Sequence, residues 1–316
     1  MRVLITGGGG FIGSHLVDRF LADGHEVRVL DNFATGRREN LVHVMGDVEL
    51  VEGDMQSYER VHNAMAGVDG VLHQAALPSV PRSVADPLTT NASNVIGTLN
   101  VLLAARDAGA KRVVFASSSS VYGANPTLPK SEDLVLAPMS PYAVTKLAGE
   151  GYCRSFNQVY GLETVALRYF NIFGPRQDPL SQYAAVIPNF ITAVLGGRGP
   201  KIFGDGEQSR DFTFIENVVE ANRLALEAPD AVGKAYNVAC GDRISLNTVL
   251  KEIGDITGRD VEPVYTDPRP GDVLHSHASI ALAAAELGYE PSVSFRDGLR
   301  RSIEHFAARQ ASAASV

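Results

Sequence analysis

The chain has 316 residues, 45% of them hydrophobic and 20% charged, which excludes disorder, collagen-like repeats and a disulfide scaffold. Its 28 Lys and Arg against 36 Asp and Glu leave a net charge of −8, which argues against broad nucleic-acid or anionic-membrane binding but not against local arginine sites for phosphate. Cys153 and Cys240 have no metal-ligand spacing and read as free thiols in a reducing cytosol, so no metal is expected. No apolar run reaches the roughly 18 residues that a membrane span needs, and no signal-peptide pattern opens the chain, so the expected location is cytoplasmic.

In chain order, β-rich runs at 3–5, 26–30, 49–51, 70–73, 112–116 and 164–167 alternate with helical patterns at 12–22, 59–65, 88–108 and 142–159. This alternation predicts a parallel sheet wrapped by helices. The strands are nearly unbroken apolar runs, such as Val113-Val114-Phe115-Ala116, which suits burial on both faces. After Arg168 the rhythm changes: Gly and Pro become dense, and helical patterns recur at 185–195, 217–226, 246–256, 280–287 and 295–306. The expected fold is therefore α/β, a Rossmann-like doubly wound parallel sheet with a smaller C-terminal mixed α/β substrate-binding domain. The domains are 1–170, with parts of 215–240 rejoining the sheet, and 171–316; residues 307–316 are expected to fray.

Gly7, Gly10 and Gly13 form a GxxGxxG directly after the first strand, and Phe11-Ile12 opens the following helix. Glycines there permit a tight turn and a close backbone approach to a pyrophosphate, which the helix N-terminus attracts. The second strand ends at Asp31, 18 residues past Gly13, in the slot for an acid that hydrogen-bonds an adenosine ribose. Such an acid repels a 2′-phosphate, so the cofactor expected is NAD rather than NADP; Arg37-Arg38 nearby is the one feature that points the other way.

Tyr142 and Lys146 stand at i, i+4 spacing, on one face of a helix whose start is marked by Ser140-Pro141. Ser117 to Ser120 follow a buried strand, where α/β sheets place ligand-facing residues. A phenol is a poor base at neutral pH, but an adjacent ammonium and a cationic nicotinamide both favour the phenolate. Tyr142 then accepts a proton from an alcohol whose carbon gives up hydride.

Taken in order, Gly7–Ser14, Asp31 to Gly36, Gly53-Asp54-Met55, His73 to Ala76, Ser117 to Gly123, Ser140 to Lys146, Arg168 to Asn171 and Arg210-Asp211-Phe212 resemble the extended short-chain dehydrogenase/reductase superfamily. Within it they resemble the UDP-glucose 4-epimerase family, including members that act on UDP-N-acetylhexosamines. The resemblance implies NAD-dependent C4 epimerisation of a UDP-hexose through a transient 4-keto sugar. It implies catalytic roles for Ser118, Tyr142 and Lys146, with Lys146 and Tyr142 also at the cofactor. It assigns Gly7, Gly10, Phe11, Ile12, Asp31, Asn32, Gly36, Asp54, Met55, Ala75, Asn94 and Tyr169 to NAD. Ser119, Asn171, Val186, Lys201, Phe203, Arg210, Arg269, Asp272 and Ser276 would hold the UDP-sugar, two of them arginines suited to a diphosphate.

Related dehydratases and decarboxylases carry acids just after the Ser118 position, where this chain has Ser119 and Ser120. Ser276 resembles the gate facing the sugar 2-substituent and leaves room for an N-acetyl group, while Pro78 stands where a glycine is expected and narrows the pocket. UDP-glucose and UDP-galactose are thus the expected substrates, with N-acetyl forms as additions. The alternatives are a UDP-glucuronate 4-epimerase, with Arg82 as its cation, another NAD(P)-dependent nucleotide-sugar oxidoreductase, and a non-enzymatic NAD sensor, which would usually have lost the Tyr or the Lys. The resemblance also implies a homodimer through the helices at 88–108 and 142–159.

Overall fold

The computed structural model describes residues 1–179, 185–268 and 274–314. The first half runs β1 (Arg2–Thr6), α1 (Phe11–Ala22), β2 (Glu26–Asp31), β3 (Val48–Glu52), α2 (Tyr58–Ala64), β4 (Gly70–His73), α3 (Val80–Ala85), α4 (Pro87–Asn91), α5 (Gly97–Ala108), β5 (Arg112–Ser118), α6 (Pro141–Tyr160) and β6 (Glu163–Tyr169). The second half runs β7 (Ile172–Phe173), α7 (Val186–Leu195), β8 (Lys201–Phe203), β9 (Ser209–Arg210), β10 (Thr213–Phe214), α8 (Ile215–Glu227), β11 (Lys234–Val238), β12 (Ile244–Ser245), α9 (Leu246–Thr257), β13 (Val264–Thr266), α10 (Ala281–Leu287) and α11 (Phe295–Ala314).

Seven strands form one sheet in the order β11-β6-β5-β4-β1-β2-β3, and every pairing is parallel. The order reverses between β1 and β4, so the crevice beyond their carboxyl ends is where such a sheet receives a ligand. The apolar strands are covered on both faces. Leu4, Val101, Phe115 and Phe156 belong to the core beneath α2, α5 and α6. Val3, Ile5 and Leu16 belong to a second core that continues into the C-terminal half through Phe173, Ile191 and Val249. That half adds three two-stranded sheets, β7 with β10, β8 with β13 and β9 with β12.

One local expectation needs correction. The helical pattern over 88–108 is three pieces, α4, a π-helical stretch at Ala92–Ile96 and α5. Residues 307–314 continue α11 to Ala314, in keeping with alanine, which dominates that stretch, being the strongest helix former. Among the described residues, no helix is long and apolar enough to cross a membrane.

Candidate active site

The glycine turn after β1 is built by close approach. Gly7 adopts φ +72°, and a Cβ on it would lie 2.8 Å from the backbone of Ala75 just past β4. A Cβ on Gly13 would lie 2.1 Å from the Gly7 carbonyl oxygen, so only glycine lets α1 pack on its own entry turn. The N-cap of α1 is Gly10, which has no capping side chain. The first-turn N–H groups, those of Phe11 and Ile12 among them, are therefore presented to an anion. These features fit a dinucleotide pyrophosphate.

Asp31, at the end of β2, is buried and accepts from Gly9 N at 2.8 Å and Phe33 N at 2.7 Å. Burial raises its carboxyl above the usual value, and the two backbone donors pull it back. Each oxygen keeps a lone pair for a ribose hydroxyl. Gly36 packs 3.0 Å, at its notional Cβ, from Asp31 Oδ2. Asn32 Nδ2 donates to Asp54 at 2.8 Å, and Met55 packs on Gly97. The two arginines that pointed towards NADP are both engaged: Arg37 pairs with Asp178 at 2.7 Å, and Arg38 pairs with Glu52 while lying over the Phe33 ring. A 2′-phosphate would have to displace carboxylates from both.

Asn94 sits in the π-helical stretch, buried, with its amide spent on the Leu77 backbone (2.7 and 3.1 Å) and on Thr145 (3.1 Å). Asn94 thus pins the loop at Leu77 to α6. Tyr169 is likewise buried, its hydroxyl 2.8–3.2 Å from the Gln74 and Asn222 amides.

Helix α6 starts where Ser140 Oγ accepts from Ala143 N at 3.1 Å and Pro141 supplies a fixed φ. Its first two turns carry Tyr142 and Lys146 to the end of β5. The Tyr142 phenol lies near Ser118: burial raises its pKa above the ordinary value and the Ser118 hydroxyl lowers it. Lys146 is 4% exposed, and its Nζ donates to the Ala116 carbonyl at 2.8 Å and lies 5.9 Å from the centre of the Tyr142 ring. Burial lowers its ammonium to about 8. Ser119 and Ser120 form the following 3-10 turn, and no carboxylate takes either position.

β6 pairs with β5 so that Ser118 faces Tyr169, and the chain then turns at Asn171, φ +34°, into a cavity of about 610 Å³. Asn171, Val186, Lys201, Phe203 and Arg210 all line it. Asn171 Nδ2 donates to the Asp211 carbonyl at 3.2 Å and stands 3.5 Å from Ser276 Oγ. Arg210 NH1 donates to the carbonyls of Ser209 and Leu274. Arg269 and Asp272 lie outside the described residues. Sequence reading passed over Asn189, Phe190, Arg198, Gln208 and Phe212, which also line this cavity. The signal was available for two of them, because Val186, Asn189 and Phe190 fall at i, i+3, i+4 on α7.

Residues 3–239 match the model of the NAD dependent epimerase/dehydratase family. The chain is 40% identical to the UDP-glucose 4-epimerase of Mycolicibacterium smegmatis over 315 residues, covering 97% of this chain and 98% of the other. A UDP-N-acetylglucosamine 4-epimerase from Methanobrevibacter ruminantium, solved in complex with UDP-N-acetylmuramic acid, is 41% identical with a TM-score of 0.93, covering 98% of each chain. A UDP-glucose 4-epimerase from Thermotoga maritima, solved with UDP-glucose, is 38% identical with a TM-score of 0.93, covering 98% of this chain and 100% of that one. The glycine turn, the Ser-Tyr-Lys set and the whole-chain similarity agree: the chain belongs to the extended short-chain dehydrogenase/reductases and, among them, to the UDP-glucose 4-epimerase branch of the NAD-dependent epimerase/dehydratase family.

Proposed function

We propose that this protein interconverts UDP-galactose and UDP-glucose by NAD-dependent epimerisation at sugar C4, and that it accepts UDP-N-acetylhexosamines as further substrates. One observation carries this reading. Ser118 and Tyr142 meet at the end of β5, the neighbouring strand β6 leads directly into the large cavity, and Ser119 and Ser120 offer no carboxylate for elimination or decarboxylation.

The residues divide the work. Gly7, Gly10, Phe11, Ile12, Asp31 and Gly36 hold the dinucleotide, supported by Asn32, Asp54, Met55, Ala75, Asn94 and Tyr169. When bound, NAD supplies the cationic ring that favours the Tyr142 phenolate and the hydride acceptor for sugar C4. Tyr142 takes the 4-hydroxyl proton and returns it at the end of the cycle, and Ser118 holds that oxygen. Lys146 places a positive charge beside the phenol. Asn171 and Arg210, with Arg269, hold the diphosphate, while Val186, Lys201, Phe203 and Asp272 surround the uridine. With the nucleotide anchored there, these residues would leave the sugar free to turn about its link to the diphosphate. Ser119 is a second donor to the sugar, and Ser276, close to Asn171, leaves space at its 2-substituent.

The same reading places the protein in the cytoplasm, in galactose metabolism, as a homodimer. Leu88, Ile96, Val144 and Val159 are exposed apolar residues on α4, the π-helical stretch and α6, and they suit a helical interface between two copies. The test is incubation without added cofactor, separately with UDP-galactose, UDP-glucose, UDP-N-acetylglucosamine and UDP-glucuronate, with chromatography for the C4 epimer. Wild type brings the first two to an equilibrium mixture and Tyr142→Phe does not, its rate falling by about 10³-fold. No conversion of any of the four after NAD is supplied refutes the proposal.

A further inference from the structure

The end of β5 faces α6 at three successive residues and is hydrogen-bonded to it at two of them. Ala116 offers its carbonyl to Lys146 Nζ at 2.8 Å, Ser117 Oγ donates to Glu150 Oε1 at 2.5 Å, and Ser118 stands near the Tyr142 phenol. On the helix these partners are Tyr142, Lys146 and Glu150, one stripe at i, i+4, i+8. The first and second belong to the catalytic set. The third has no chemical task in it.

Glu150 is not a loose rung. Its carboxylate receives Arg168 in a bidentate pair, Nε to Oε1 at 3.0 Å and NH2 to Oε2 at 2.8 Å, with side-chain exposures of 5% for Arg168 and 9% for Glu150. Arg168 is the residue of β6 in register with Ser117, and its NH1 donates to the Tyr122 hydroxyl at 2.9 Å. That hydroxyl donates onward to Asn237 Oδ1 at 2.7 Å, in β11. Burial alone would lower the Arg168 guanidinium, but the Glu150 bonds and charge hold it well above its ordinary range. The stripe is thus referenced to three adjacent strands, β5, β6 and β11.

We infer that Ser117, Glu150 and Arg168 are positioning residues for the epimerisation proposed above: they fix the rotation and height of α6 against β5 and so hold Tyr142 and Lys146 at working distance from Ser118. Reacting groups displaced by an ångström cost up to about 10²-fold in rate, and the Ser117–Glu150 bond is the member of the set that joins helix to catalytic strand. The Glu150–Arg168 pair governs stability and the Ser117–Glu150 bond governs alignment, so the two properties come apart in mutants.

The test uses the NAD-loaded full chain, with kcat and KM for UDP-galactose, retained NAD and thermal midpoint measured for each variant. Ser117→Ala lowers kcat about tenfold with KM and NAD content unchanged and little loss of thermal stability, and Ser117→Thr, which keeps the hydroxyl, restores kcat. Glu150→Gln still accepts from Ser117 but leaves Arg168 without its counter-charge, so it loses more thermal stability than Ser117→Ala yet keeps kcat within about threefold. If Ser117→Ala does not fold, the neutral pair Glu150→Leu with Arg168→Leu removes the rung without stranding a buried charge and shows the same tenfold fall. Wild-type kcat in Ser117→Ala or in the neutral pair overturns the inference, as does a kcat that merely follows thermal stability across the series. Wild type itself separates the two levels of argument: no turnover by wild type overturns the epimerase reading and this role with it, whereas turnover by wild type with equal turnover by the variants overturns this role alone.

Discussion

Lys146→Met is expected to make the NAD-free protein more stable at neutral pH while removing most of its activity. Lys146 is 4% exposed, has one hydrogen bond, to Ala116, and carries an ammonium that burial lowers from 10.5 to about 8. Between those two values the unfolded chain binds a proton that the folded chain does not, so stability rises with pH across that window. Below pH 8 the folded protein carries the whole cost of the buried charge, about 3 kcal/mol at about 1.4 kcal/mol per pH unit. Methionine fills much the same volume without charge, and the lost bond to the carbonyl takes back about 1 kcal/mol. The net gain is about 2 kcal/mol at pH 7 and close to zero by pH 10, where the wild-type lysine is already largely neutral in the fold. Urea unfolding of both NAD-free proteins at the two pH values measures it, and the difference between variants cancels every other titrating group. In the same variant kcat is expected to fall by roughly 10²–10⁴, because the positive charge 5.9 Å from the Tyr142 ring, which favours a phenolate over a phenol, is gone. A variant less stable than wild type at pH 7, or one equally favoured at pH 10, refutes the view that the active site holds a strained cation.

Asp31→Asn should weaken NAD binding by roughly 10–100-fold, the loss of hydrogen bonds to a charged acceptor, and narrow the preference over NADP; titration of NAD-free protein with each dinucleotide checks it, and an unchanged preference removes Asp31 from the ribose. Gly13→Ala places a Cβ 2.1 Å from the Gly7 carbonyl oxygen and is expected to cost at least about 1–3 kcal/mol and most of the retained NAD. Gly151→Ala on α6, where no atom outside its own helix lies within 4 Å of the added methyl, should instead stabilise by about 0.5–1 kcal/mol in the same denaturation assay.

What sequence disclosed follows from how local each determinant is. The strand-turn-helix around Gly7 and the Ser140-Pro141 start of α6 are decided within a few residues, and both stand where their patterns place them. The six runs read as strands in the first half each fall within a strand of the sheet; β1, β4, β5 and β6 are buried and mainly apolar, whereas the edge strand β3 alternates apolar and acidic residues and has no fully buried residue. The two-residue strands β7, β9, β10 and β12 left no trace, since two residues establish no period. α3 was missed because Pro81 reads as a breaker, whereas at the first turn of a helix capped by Ser79 it costs nothing. Arg37 and Arg38 could not be read from their neighbours at all. Their partners are Asp178, 141 positions away, and Glu52, 14 positions away, and it is those carboxylates that turn an ambiguous basic pair into an argument for NAD.

The same distinction separates the two halves of the site. The proposed cofactor side is built chiefly from backbone, as in the Gly7 turn against Ala75, the N–H groups of α1 and the Asp31 oxygens on Gly9 and Phe33, so its signature is glycine spacing and one acid. The proposed substrate side is lined by side chains from α7, β8 and β9 that converge on one cavity from scattered places in the chain. Between them lies the β5–α6 seam, where Lys146 is kept charged in a place that disfavours charge. An epimerase must grip its nucleotide and its cofactor while letting a neutral keto sugar turn. Rigid backbone on one side and long polar side chains on the other suit the two grips, so substitutions at Gly13 and Arg210 are expected to act first on cofactor retention and on substrate affinity, while one at Lys146, which lies beside both Tyr142 and the proposed cofactor site, acts on chemistry and on cofactor binding together.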